Sequence, residues 1–107
     1  MTDLERQRGE GGPAAGGEAI TRVLDIVNKK GLHARASAKF VQTVEKFDAD
    51  VKVTRNGETV GGGSIMGLMM LAAGIGTSIT VTASGKDAAA VIAALDGLVS
   101  SRFGEDE

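Results

Sequence analysis

The chain has 107 residues, 42% hydrophobic and 24% charged, with 12 Lys+Arg against 14 Asp+Glu and a formal net charge of −2. That is room for one compact soluble domain, whose core must be filled by aliphatic side chains, Met and three Phe. The lack of cysteine excludes disulfides and thiolate metal sites, the slight acidity argues against non-specific nucleic-acid binding, and no apolar run approaches the roughly 20 residues of a membrane span.

Residues 1–18, MTDLERQRGEGGPAAGGE, hold the only proline, Pro13, five glycines and mixed charges. Such a stretch has too little apolar surface to offset the entropy of ordering it, so it reads as a flexible extension. A short helix over Leu4 to Arg8 is the alternative, with little to pack against. The N-terminus lacks the basic-then-apolar order of a secretory signal, and the protein is expected in the cytoplasm. From Ile20 the pattern becomes regular. AITRVLDIV is β-branched and apolar, with Ile20, Leu24 and Ile26 on one parity, a strand closed by NKKG.

A helix follows from about Ala34 to Phe47, with Phe40, Val41, Val44 and Phe47 at three- and four-residue steps. His33, the only histidine, stands at its start. A lone histidine there is usually an ordinary helix-terminal residue, but three local features point to chemistry. The free N–H groups of a helix start form an anion site that would hold a phosphate beside the ring. The positive end of the helix dipole favours an uncharged, nucleophilic imidazole. Arg35 can fork onto phosphate oxygens, and Ala34 and Ser37 leave room for a partner. Lys29, Lys30 and Lys39 could add positive charge, or be ordinary solvated lysines. The residues thus describe an exposed nucleophilic ring in a phosphate-binding corner.

DVKVTRNGETVGG alternates Val51 and Val53 with polar residues and carries Asn56-Gly57, the strongest short hairpin signal because both turn residues take positive φ. GGGSIMGLMMLAAG reads as a loose glycine loop, an N-cap at Ser64 and a short apolar helix ending near Gly74. Leu68 and Leu71 belong to the core. Adjacent Met69 and Met70 point in different directions, so one of them faces outward and contributes to an adaptable apolar patch. TSITVTAS, with Ile79 and Val81, is a fourth strand. KDAAAVIAALDGLVSSRF places Val91, Ile92, Leu95, Leu98 and Val99 on one stripe of a long final helix. The order β-α-β-β-α-β-α predicts an α+β fold over residues 19–103, a four-stranded antiparallel sheet with three helices on one face, followed by an acidic end, 104–107.

GLHARASAKF, residues 31–40, resembles the active-centre segment of the HPr family, the histidine-containing phosphocarriers of the phosphoenolpyruvate:sugar phosphotransferase system, and of their nitrogen-related NPr counterparts. SIMGLMMLAAG is similar to the regulatory-serine segment of HPr proteins that are substrates of HPr kinase/phosphorylase. The spacing and the ASG before the last helix also fit, and the likeness covers roughly residues 20–102. It implies an open-faced β-sandwich and a carrier that takes a phosphoryl group on His33 Nδ1 from phosphorylated enzyme I. The carrier then passes it to a histidine of an enzyme IIA component, with Arg35 steadying the phosphate. It further implies phosphorylation of Ser64, docking through Ile65, Met66 and Met69, a monomer, and neither cofactor nor metal. One departure is Ala36, where most family members have proline; alanine keeps the helix start but not the fixed φ. Alanine there is associated with NPr-like proteins, so a regulatory branch is as open as sugar uptake.

Three rivals remain. A hydrolase using Ser37 and His33 lacks a third member and an oxyanion pocket. A metal site fails on ligand count, with one His and no Cys. A non-catalytic binding module acting through phosphorylated Ser64 would make His33 dispensable.

Overall fold

The computed structural model describes residues 19–107; the flexible extension and short helix expected within 1–18 lie outside the described residues. The elements are β1 (Ile20–Asp25), α1 (Ala34–Glu45), β2 (Asp50–Arg55), β3 (Glu58–Gly61), α2 (Ile65–Met70), β4 (Ser78–Ser84) and α3 (Ala88–Ser100), closed by a single turn over Arg102–Gly104. The sheet is antiparallel throughout, in the order β1-β4-β2-β3. An α+β open-faced sandwich, predicted from the pattern and the resemblance, is what the chain forms.

Alternation decides which face the helices cover. Leu24 pairs with Ile79 and Val51 with Ala83, while Val53 lies opposite both Val81 and Val60. These side chains project to one face, and all but half-buried Val60 are buried. The alternate residues project to the open face and include a set of threonines: Thr21 meets Thr82 at 3.2 Å and Thr54 meets Thr59 at 2.8 Å, oxygen to oxygen. A slip of one residue would exchange the two faces, so the register is fixed by burial.

α1 lays Phe40, Val41 and Val44 on the inner face and α3 adds Val91, Ile92, Leu95 and Val99. Each such side chain contributes about 1.5–3 kcal/mol on burial. α1 stops at Glu45, two residues before Phe47, which the following turn keeps half-buried against the core. Arg22, at the sheet edge, reaches Asp96 of α3 at 3.0 Å.

The hairpin turn is as expected: Asn56 has φ 52° and Gly57 φ 80°. The glycine stretch before α2 is not loose, since Gly62 is buried and its N–H bonds to Val51 O at 2.7 Å. Nor does α2 run to Gly74. It ends at Met70, and the chain leaves it through Ala72, an alanine at φ 53°. Six residues form barely two turns, so of the helix proper only Leu68 is buried, with Leu71 just beyond it. Met69 and Met70 are both exposed, where one was expected, and stand with Ile65 and Met66 as an apolar outer face.

Gly31 sets the approach to His33. At φ 66° it takes a conformation that suits glycine, and a Cβ there would lie 2.4 Å from Ala73 O. The bare backbone lets Leu32 N–H reach Ala73 O at 2.9 Å, so the loop carrying His33 is stitched to the segment leaving α2.

Candidate functional site

His33 is the N-cap residue of α1, extended at φ −78° and ψ −178°, and its side chain makes no cap bond. The imidazole, left out of the cap, is half-buried at 28% exposure rather than fully exposed as expected, because the acidic end of the chain packs against it. Ser37 N–H closes the first turn on His33 O at 2.9 Å, while the amides of Ala34, Arg35 and Ala36 have no partner among the described residues. Arg35 is exposed, and its side chain is unpaired among the described residues. With Lys29 and Lys30 it lines a cleft of about 570 Å³ beside the ring, which Glu105, Asp106 and Glu107 also line. Three cations and three carboxylates thus share the cleft with His33.

The carboxylates come from the acidic end, and one touches the ring. Glu105 Oε2 lies 2.5 Å from His33 Nε2, and the other oxygen, Oε1, accepts from Asn28 Nδ2 at 3.1 Å. Asn28 is fully buried and also donates to Gly31 O at 2.9 Å, so one amide ties the loop to the carboxylate. Desolvation pushes the Glu105 carboxyl up, but the hydrogen bonds from Asn28 and His33 and the attraction of His33 and Lys30 outweigh it and hold it below the usual carboxylate range. An ionised carboxylate can only accept, so Nε2 carries the proton in this bond. In an uncharged ring the lone pair is then on Nδ1, which has no partner among the described residues.

Glu105 reaches the ring because the chain reverses at the end of α3. Arg102, Phe103 and Gly104 take φ of 61°, 55° and 75°, three consecutive left-handed residues. For the two non-glycines this costs about 1–2 kcal/mol each. Phe103 offsets it by burying its ring to 1% exposure, worth about 1.5–3 kcal/mol. Lys39 adds a bond from Nζ to Phe103 O at 2.6 Å. The end then closes on the histidine loop, with Lys29 N–H donating to Glu107 O at 3.0 Å.

The site residues expected from sequence divide into two groups. His33, Arg35, Lys29 and Lys30 converge on the cleft, whereas Lys39 is committed to Phe103. Ser37 is buried with Oγ donating to Leu32 O at 3.3 Å, which removes the hydrolase reading. Ser64 does not line the cleft. It caps α2, its exposed Oγ accepting from Gly67 N–H at 2.9 Å, and Ile65, Met66 and Met69 follow on the exposed face. Glu105 and Asn28 were missed by sequence reasoning. The one available signal was Phe103, a large apolar residue four past Val99, ahead of a glycine and three acids.

A family model described as "PTS HPr component phosphorylation site" matches residues 20–101. The chain belongs to the HPr family. Phosphocarrier protein HPr of Cupriavidus necator is 50% identical over 88 residues, covering 82% of this chain and 99% of that protein. Phosphocarrier protein NPr of Shewanella violacea is 37% identical over 86 residues, covering 80% and 94%. The crystal structure of HPr-C-His from Thermoanaerobacter tengcongensis superposes with a TM-score of 0.79 at 40% identity, covering 82% of this chain and 99% of that one. As a family member the chain is a phosphocarrier of the phosphotransferase system. No helix among the described residues is long and apolar enough to cross a membrane.

Proposed function

We propose that His33 Nδ1 accepts a phosphoryl group from phosphorylated enzyme I and delivers it to a histidine of an enzyme IIA component. The observation that carries this reading is the meeting of one half-buried imidazole, the unpaired helix-start residues Ala34 and Arg35 and three cations on a single cleft. In the transfer the Nδ1 lone pair attacks phosphorus. The new N–P bond forms as the donor's breaks, and the bonding pair returns to the donor. The amides and Arg35 act on the equatorial oxygens, where charge is spread in the transition state.

The α2 face supplies docking. Ile65, Met66 and Met69, joined by Met70, present adaptable apolar surface, and the stitch between Leu32 and Ala73 keeps that surface in fixed relation to the histidine loop. Ser64 is the proposed regulatory phosphorylation site, a substrate for HPr kinase/phosphorylase. It is exposed, and a phosphate there would add about −1.5 to −2 charges beside the methionines without refolding the helix. The carrier works as a cytoplasmic monomer, in a sugar-uptake or nitrogen-related branch.

The test is incubation with enzyme I and labelled phosphoenolpyruvate. Acid-labile, alkali-stable label that is lost in His33→Ala supports the carrier. Label that appears only with ATP and kinase, and is lost in Ser64→Ala, leaves a regulatory binding module instead.

A further inference from the structure

We infer that Met66 and Met70 form a reversible oxidation site, at which a hydroperoxide converts exposed thioethers to sulfoxides and so weakens docking on the α2 face. The inference rests on the proposed reading of that face as the docking surface and adds to it a chemical control that leaves His33 untouched.

Three observations carry it. The first is where the sulfur lies. The chain has four methionines and no Cys, Trp or Tyr, so thioether sulfur is its softest and most readily oxidised group. Met1 lies outside the described residues, and the other three all stand in α2. The second is exposure. Met66 and Met70 are 69% and 65% exposed and sit one turn apart on the same side of the helix, while Met69 is 39% exposed. Leucine goes inward instead: none is exposed among the described residues, and Leu68 and Leu71 hold this segment to the core. The third is that the fold does not depend on these sulfurs. Leu68 is the only buried residue of α2, Ser64 Oγ caps its start by accepting from Gly67 N–H at 2.9 Å, and Arg55 Nη1 donates to Leu71 O at 3.0 Å beyond its end. Oxidised methionine disrupts a core when it is buried; here it changes only the surface.

The chemistry balances without a charge left on the chain. A sulfur lone pair attacks one peroxide oxygen, and the S–O bond forms as the O–O bond breaks. The electron pair of that bond leaves on the other oxygen, which ends protonated as water or an alcohol. Sulfur is oxidised by two electrons and the peroxide is reduced by two. For the return, a methionine sulfoxide reductase removes the oxygen as water while a dithiol is oxidised to a disulfide. The sequence of α2, IMGLMM, has no charged, hydroxyl or amide side chain, so a sulfoxide is the first strongly polar group on this face. A partner that covers a thioether freely must take a sulfoxide out of water, and without a matching donor this weakens binding roughly tenfold for each group. Neither Met66 nor Met70 lines the cleft of His33, so transfer within the assembled complex is unaffected.

The experiment treats the full chain with hydrogen peroxide, with N-acetylmethionine amide in the same solution as reference. Peptide mass spectrometry follows each methionine, and calorimetric titration against enzyme I reads docking. Met66 and Met70 should oxidise about as fast as the reference and Met69 more slowly. The oxidised protein should keep the parent's Tm within about 3 °C. Its Kd for enzyme I should rise about tenfold or more, with the single-turnover transfer rate at saturation unchanged, and a methionine sulfoxide reductase with dithiothreitol should restore the Kd. The double variant Met66→Leu, Met70→Leu is compared only with itself, before and after peroxide, and its Kd should not move. Thioethers shielded from peroxide, an oxidised protein that binds like the parent, or a loss of affinity that persists in the double variant overturns the inference. Titration needs no phosphoryl transfer, so a parent that binds enzyme I but is never labelled on His33 sinks the carrier reading alone, whereas a parent that does not bind overturns both.

Discussion

Phe103→Ala tests whether the end of the chain is a structural member of the domain or a loose appendage. Phe103 is 1% exposed and belongs to the same core cluster as Phe40 and Leu95. Truncating a fully buried phenylalanine costs about 3–5 kcal/mol, the transfer of the ring plus the cavity it leaves. Alanine relieves none of the backbone strain, because φ 55° is as unfavourable for alanine as for phenylalanine. A domain of this size has a total stability of about 5–15 kcal/mol, so the loss is a large share of it. The chain has no Trp or Tyr, so far-UV circular dichroism in urea and calorimetry are the natural probes. The expected result is a destabilisation of about 3 kcal/mol or more and a Tm lower by about 12 °C or more. A loss below about 1 kcal/mol, the range of ordinary surface substitutions, would mean that the turn is not held by its aromatic ring and that Glu105 has no rigid support.

Three further outcomes follow from single positions. Gly31→Ala forces a Cβ to 2.4 Å from Ala73 O at a left-handed φ, so it should cost about 2–4 kcal/mol in urea denaturation and slow phosphoryl transfer by displacing the loop of His33. Ala72→Gly relieves a left-handed alanine on the surface; net of the extra freedom of glycine in the unfolded chain, the domain should gain about 0.5–1 kcal/mol, read as a higher Tm. The Glu105 carboxyl is held below its ordinary value of 4.5, so its stabilising contribution is complete above that pH and is lost as pH falls through the lower, folded-state value. Calorimetry from pH 6 to pH 3 should therefore show Glu105→Gln losing less stability on acidification than the parent, and parallel curves would contradict the grip on this carboxylate.

What the sequence made legible was local in origin. Ile79 and Val81 alternate with Thr and Ser, and that alone specifies a half-buried strand. Phe40, Val41 and Val44 state the buried stripe of α1, and Asn56-Gly57 states its own turn. Strand order was not legible, because every strand offers one apolar face and nothing local says that β4 lies between β1 and β2. The two turns that depart from expectation fail for one reason: Ala72 and Arg102-Phe103 adopt positive φ without the glycine or asparagine that announces it. Tertiary contacts hold them there, and such contacts leave no mark on the neighbouring letters. The site divides the same way. His33 and Arg35 share a helix start and could be read together. Glu105 stands 72 residues from His33 in the chain, and only the fold brings the two within hydrogen-bond distance.

That division bears on how the cleft would admit the proposed phosphoryl group while lined by as many carboxylates as cations. The acids are held unequally. Lys29 and Glu107 meet at 3.3 Å with side chains 72% and 71% exposed, an ion pair worth about 0–1 kcal/mol and weakened further by salt. The phosphoryl group proposed for the cleft, carrying more charge and more acceptor oxygens, would outcompete Glu107 for Lys29 at little cost. Glu105 is different: its side chain is 18% exposed and gripped from both sides by His33 and Asn28. Displacing it would leave Asn28, whose Oδ1 already lacks a partner among the described residues, with less of its buried hydrogen bonding satisfied. Of these two acids, Glu107 is thus the one free to leave, and Glu105, which stays, sits on the edge of the ring that the proposed transfer leaves unused.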